Sequence, residues 1–194
     1  MATWFDGKKS FADVPITANG ISTQEFLDAA EALTTLFDLM QSKAFGVVKS
    51  DLTGNIKKVR DRFLAAPAES QTLQELVVNE LKTGKHTATE GLLWLVRGLD
   101  FTAQALRHNI DNASTELADS FRNAYGGTLK PHHSFVVKPL FSAAMSACPY
   151  RKDFYSRLGD DQAQVQENLN VYVAALEERI NILKAFMESP QAKW

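Results

Sequence analysis

The chain lacks most of what would mark it as secreted, membrane-spanning or metal-dependent. It has one cysteine in 194 residues, Cys148. No internal disulfide can form, and a lone thiol fits a reducing compartment. No apolar run reaches the roughly 18 residues that a spanning helix needs. The best stretch, Phe135 to Cys148, is interrupted by Lys138 and Pro139. Asp6, Lys8, Lys9 and Asp13 break up any secretory-type opening. Residue 2 is Ala and the last three residues are Ala192, Lys193 and Trp194, so myristoylation and prenylation signals are absent too. The formal net charge is only -2, which gives no bulk attraction to nucleic acid. There is no HExxH, no Cys/His cluster, no GxSxG, no P-loop and no GxGxxG. The expectation is therefore a cytoplasmic, monomeric protein that is not an enzyme and uses no metal or cofactor. Any membrane work would be transient docking.

What is present is helical periodicity in a chain that is 45% hydrophobic. After a loose arm over 1–20, Ser22 and Glu25 have capping-box spacing. Phe26, Ala30, Leu33, Phe37 and Met40 then mark one helical stripe. A second helix carries Phe45, Val48, Leu52, Ile56, Val59 and Phe63. A third, closed by Gly84, carries Leu73, Leu76, Val77, Glu80 and Leu81. A fourth is predicted over 87–107 and a shorter fifth over 114–125, stopped by Gly126-Gly127. Pro131 suits the first turn of a sixth helix reaching Ala147. A short seventh covers 150–158 and a last one 162–187. No alternating strand pattern, internal repeat or linker is visible. The fold class is all-α: about eight helices in one domain over 21–194.

Three features carry chemistry. Asp51, Asn55, Lys58 and Arg62 recur at helical spacing, one polar line about 100° around from the apolar stripe. Such a line is either a solvated face or a rim whose mixed donors and acceptors suit sugar hydroxyls. The segment Gly91 to Leu99 is apolar nearly all round, which predicts a central helix. On it, Trp94 and Arg97 share a face. Trp94 is either a core residue or a stacking platform for a sugar ring, and Arg97 needs an acidic partner, with Asp51 a candidate. His132-His133 points two ways and makes a poor metal site. His133 is either structural or a hydrogen-bonding group at a cavity mouth. Cys148, with no cation before Arg151, reads as an inert packing residue.

Four segments in order, DLTGNIKK (51–58), LLWLVRGLDF (92–101), LKPHHSFVV (129–137) and SACPYRKDF (146–154), resemble the glycolipid transfer protein family, most of all its fungal heterokaryon-incompatibility branch. The resemblance implies a two-layer helical sandwich that binds a glycosphingolipid (glucosyl-, galactosyl- or lactosylceramide class) and transfers it between membranes. It implies that Asp51, Asn55 and Lys58 hydrogen-bond the first sugar and that Asp51 also takes the ceramide N–H. Trp94 would stack under the sugar, His133 would bond the ceramide carbonyl, and Arg97 would support the site. Ceramide-1-phosphate carriers of the same family have Lys and Arg where this chain has Asn55 and Trp94. Phe135 stands where vertebrate members carry a docking Trp, so docking is expected to be shared between Phe135 and Trp194. A glycolipid sensor acting through a protein partner, a ceramide-1-phosphate carrier and a plain helical interaction module remain the alternatives.

Overall fold

A computed structural model describes all residues, Met1–Trp194. Eight helices dominate it: α1 (Thr23–Thr34), α2 (Gly46–Ala65), α3 (Leu73–Lys82), α4 (Thr87–Asp111), α5 (Leu117–Gly127), α6 (Lys138–Ser146), α7 (Arg151–Leu158) and α8 (Gln162–Glu188). They form two layers. In one, α2 lies beside α1 and α6; in the other, α4 lies between α5 and α8, with α3 at its start. The layers meet chiefly where α2 packs on α4. The core between them is continuous and holds 48 buried hydrophobic residues. No helix is long and apolar enough to cross a membrane.

The predicted central helix is central because its apolar girth leaves it little solvent face. Leu92, Leu95, Leu99 and Phe101 are fully buried along α4. Its start is pinned by a charge. Glu80, itself buried, accepts hydrogen bonds from Ala88 N (3.0 Å), Thr89 N (2.7 Å) and Thr89 Oγ1 (2.7 Å). A carboxylate at a helix N-terminus satisfies free N–H groups and meets the positive end of the dipole. That makes Glu80 a tie between α3 and α4 and explains an acid inside an apolar stripe.

Local details depart from the sequence expectations in five places. The arm over 1–20 is not loose. Phe11 and Val14 are buried in the core, Trp4 N donates to Leu158 O (2.7 Å), and Arg179 Nη2 donates to Val14 O (2.9 Å). A two-residue antiparallel ladder, β1 (Ile16–Thr17) with β2 (Gly20–Ile21), follows, too short to leave an alternating pattern. Ser22 does not cap α1; its hydroxyl turns to the Glu25 carboxylate. The reciprocal capping box belongs to Thr72 and Glu75 at α3. Pro131 opens only a short 3-10 turn, Lys130–His132, and α6 starts at Lys138 with Pro139 in its first turn. Pro139 thus sits in the first turn of the helix, where proline's missing N–H costs nothing, and not in its interior. Finally, α5 runs through Gly126-Gly127 instead of stopping before them.

Candidate functional site

The site begins with two glycines seven residues apart on α4. A Cβ on Gly91 would lie 2.9 Å from Lys58 Cβ, and one on Gly98 would lie 2.8 Å from Leu52 Cδ2 and 3.9 Å from Asp51 Oδ2. Both glycines are therefore places where α2 closes onto α4. The closure sets Asp51 beside Gly98 and the Asn55–Lys58 turn beside Gly91, with Trp94 on the stretch of α4 between them. Nothing in the sequence reading singled these glycines out; their heptad spacing in an apolar helix is the signal that marks a close helix approach. Gly91→Val is expected to wedge the helices apart, lowering stability by about 1–3 kcal/mol, as overpacking does. Thermal unfolding checks this, and an unchanged midpoint would mean that α2 yields without cost.

The polar line on α2 divides. Asn55 is 6% exposed, and its Nδ2 donates to Asp51 O (2.9 Å). Lys58 is exposed. Arg62 leaves the group and pairs with Glu69 (3.4 Å). Asp51 is half-buried, and no donor of the protein reaches its carboxylate oxygens. Burial pushes its pKa up from 3.8 to about 6, against the opposing pull of Lys58. A carboxylate without donors in such a place is an unfilled acceptor.

Trp94 is half-buried at the corner between α4 and the His132-His133 turn. His133 lies nearly parallel to it, 5.7 Å between centroids at 16°, and His132 stands edge-on at 6.3 Å. The Arg97 guanidinium carbon sits 4.8 Å from the centroid of the Trp94 ring. Asp51 is not the partner of Arg97: no carboxylate lies within 4.0 Å of that guanidinium, and the aromatic ring takes its place. Burial lowers the Arg97 pKa. His132 and His133 are lowered as well, both by burial first, His132 then by Arg97 and His133 by His132 and Lys138. His133 therefore favours its neutral form.

From His133 a run of aromatic rings leads inward. Phe141 follows at 4.5 Å, Tyr125 at 5.5 Å from Phe141, Phe101 at 6.2 Å from Tyr125 and Phe121 at 5.4 Å from Phe101. Phe45 and Phe37 continue it, at 6.2 and 5.9 Å. The corner thus joins a polar rim to the apolar interior.

The two residues expected at the surface are there. Phe135 is 85% exposed, with Val136 and Leu140 also exposed beside it. Trp194 is 55% exposed and stacks on His86 at 5.2 Å and 15°. It lines a cleft of about 430 Å³ together with Arg97 and His132. No group of three or more His, Cys, Asp or Glu is placed to hold a metal ion. Cys148 is half-buried and its thiol is pushed up to about 12, chiefly by burial.

The profile of the glycolipid transfer protein family matches residues 21–160. This chain belongs to the glycolipid transfer protein family. A glycolipid transfer protein of Aureobasidium melanogenum is 62% identical over 193 residues, covering 99% of this chain and 96% of that protein. The mouse pleckstrin homology domain-containing family A member 8 is 36% identical over 92% of this chain, which spans only 37% of that longer protein. Among solved structures, HET-C2, a fungal glycolipid transfer protein, superposes with a TM-score of 0.94 at 66% identity, covering 96% of this chain and 97% of that one. The family's fold in FAPP2, described as selecting simple glycosphingolipids, gives 0.86 at 34%, covering 96% and 95%. A mouse ceramide-1-phosphate transfer protein gives 0.81 at 19% identity, covering 91% of each, a likeness of fold alone. The all-α two-layer architecture is the family's, and the family is one of carriers, not enzymes.

Proposed function

We propose that the protein binds a glycosphingolipid of the glucosyl-, galactosyl- or lactosylceramide class and carries it between membranes. The observation that carries the reading is the corner itself. A half-buried carboxylate without donors, Asp51, sits with Asn55 and Lys58 on one wall, and Trp94 with His133 forms the other. In this reading the first sugar packs against the Trp94 ring. Its hydroxyls donate to Asp51, exchange hydrogen bonds with Asn55 and accept from Lys58. The ceramide N–H turns to Asp51 and its carbonyl to His133. The relatives' names, glycolipid transfer protein and a fold that selects simple glycosphingolipids, support the same class.

The chains decide the energetics. A ceramide has roughly 30 chain carbons, and exposing them at about 0.8 kcal/mol per CH₂ would cost on the order of 24 kcal/mol. Headgroup bonds at roughly 1.5–3 kcal/mol each select the lipid but do not offset that. The chains must be buried, and the run of rings behind His133 is the route inward. Phe135, Val136 and Leu140 next to the same histidine, with Trp194, supply a docking surface for transient membrane contact. Phe lacks the indole's polar handle, so docking by Phe135 is weaker than a Trp there would give. The protein acts as a monomer in a reducing, cytoplasmic setting.

The test is movement of fluorescent glucosyl-, galactosyl- and lactosylceramide between vesicles, with ceramide-1-phosphate and phosphatidylcholine alongside. Fast movement of glycolipid alone is expected. Tight glycolipid binding without movement would make the protein a sensor, and movement of ceramide-1-phosphate in preference would overturn the sugar reading.

A further inference from the structure

We propose that Tyr125 is a positioning residue of the headgroup site, whose hydroxyl holds His133 in the tautomer that presents Nε2–H to the amide carbonyl of a bound ceramide. This rests on the reading of the site given above.

The Tyr125 hydroxyl lies 2.9 Å from His133 Nδ1. The tyrosine is 3% exposed, stacked on Phe141 at 9° and met by Phe101 edge-on, so the phenol is held where it is. Two hydrogen placements satisfy the contact. In one, the phenol donates to Nδ1 and the imidazole proton is on Nε2. In the other, Nδ1–H donates to the phenol oxygen. The second leaves the phenol's own proton without an acceptor, because His133 is its one hydrogen-bond partner. Buried polar hydrogens do not stay unpaired at no cost, so the first placement is favoured.

Charge agrees with geometry. The groups facing His133 are His132, Lys138, Trp94, Tyr125 and Phe141. Burial and the two basic neighbours disfavour an imidazolium. Burial also holds the Tyr125 phenol in its protonated, donating form. A neutral imidazole has one donor and one acceptor. With Nδ1 engaged by the phenol, Nε2–H is left for the ligand. A carbonyl is an acceptor only, so this tautomer fits an N-acylated lipid. The opposite tautomer would set two lone pairs against each other. Orientation of a binding histidine through its other nitrogen follows the logic of ligand support at metal sites.

The test combines spectroscopy with a double-mutant cycle on the full chain. Nitrogen-15 spectra of the wild type should show His133 protonated at Nε2, with Nδ1 shielded by an accepted hydrogen bond; the shielding should vanish in Tyr125→Phe, which keeps the stacked ring. Tyr125→Phe should slow glucosylceramide transfer about tenfold in the wild-type background and not at all in His133→Ala. Protonation at Nδ1 in the wild type would overturn the proposal. So would an equal loss in both backgrounds, which would mark Tyr125 as merely structural, or no loss in either. If the wild type moves no glycolipid, the site reading fails together with the carbonyl contact, while the spectra still decide the tautomer.

Discussion

Asp51→Asn is expected to reduce glycolipid transfer by at least about 100-fold while making the protein harder to unfold at neutral pH. The first half follows from charge. A carboxylate that receives sugar hydroxyls and the ceramide N–H makes charge-assisted bonds of roughly 1.5–3 kcal/mol each, and a neutral amide does not. The second half follows from the apo structure. The Asp51 carboxyl has a pKa of about 6 against an ordinary 3.8, chiefly through burial. The folded state therefore disfavours the ion. Below about 3.8 both folded and unfolded chains are protonated and no penalty exists. Between 3.8 and about 6 the unfolded chain ionises first and the penalty accrues. Above 6 it is constant, with a ceiling of about 3 kcal/mol. Asp51 is half-open to water, which discounts that to about 1–2 kcal/mol. Urea unfolding at pH 4 and pH 7 checks the sign: the variant should gain stability only at the higher pH. Lower stability at pH 7 would mean that the carboxylate has a structural partner, and normal transfer would remove it from the site.

The same carboxyl predicts a pH profile. Wild-type transfer should fall as the pH drops through about 6 and Asp51 takes up a proton. Bound lipid donors favour the ion, so with saturating glycolipid the fall moves to lower pH. Asp51→Asn should show no such step. A wild-type profile flat from pH 7 to pH 4.5 would count against the assignment.

How far the site was legible depended on what each residue's role rests on. Asp51, Asn55 and Lys58 were visible because helical spacing alone puts them on one line, and Trp94 was visible because an indole in an apolar girdle stands out. Their meeting was not visible. It depends on Gly91 and Gly98 letting α2 approach α4, and a glycine's value there lies in the atoms it leaves out. Periodicity gave Arg97 a place on a helix but the wrong partner, since a ring can stand in for a carboxylate. Tyr125 left no signal at all; its link to His133 crosses a turn whose path only packing determines. The long helices were legible from their stripes. The arm was not, because Phe11 and Val14 are held by α1 and α8 and not by any local pattern. Glu80, read as one more position of a stripe, proved to be the clasp of α4.

Asn55→Lys combined with Trp94→Arg is expected to reverse headgroup preference, from glycosylceramide toward ceramide-1-phosphate, by on the order of 100-fold. The sugar is neutral and needs an apolar face with mixed donors and acceptors; a phosphate needs fixed positive charge and matching donors. Asn55 is nearly buried, so a lysine there would be a poorly solvated cation beside Asp51. Trp94 stands three residues before Arg97 on the same face, so an arginine there would add a second guanidinium with no carboxylate near the first. Two guanidiniums without a carboxylate partner in one corner destabilise the empty protein, and a phosphate relieves both. The double variant should therefore melt below the wild type alone, recover with ceramide-1-phosphate and recover little with glucosylceramide, as ligand linkage requires. Melting with each lipid, followed by transfer of each between vesicles, reads the effect. A well-folded double variant that still prefers glucosylceramide would show that the α2–α4 corner does not set the headgroup choice. Selectivity would then have to lie past Arg97, in the cleft that Arg97 and Trp194 line.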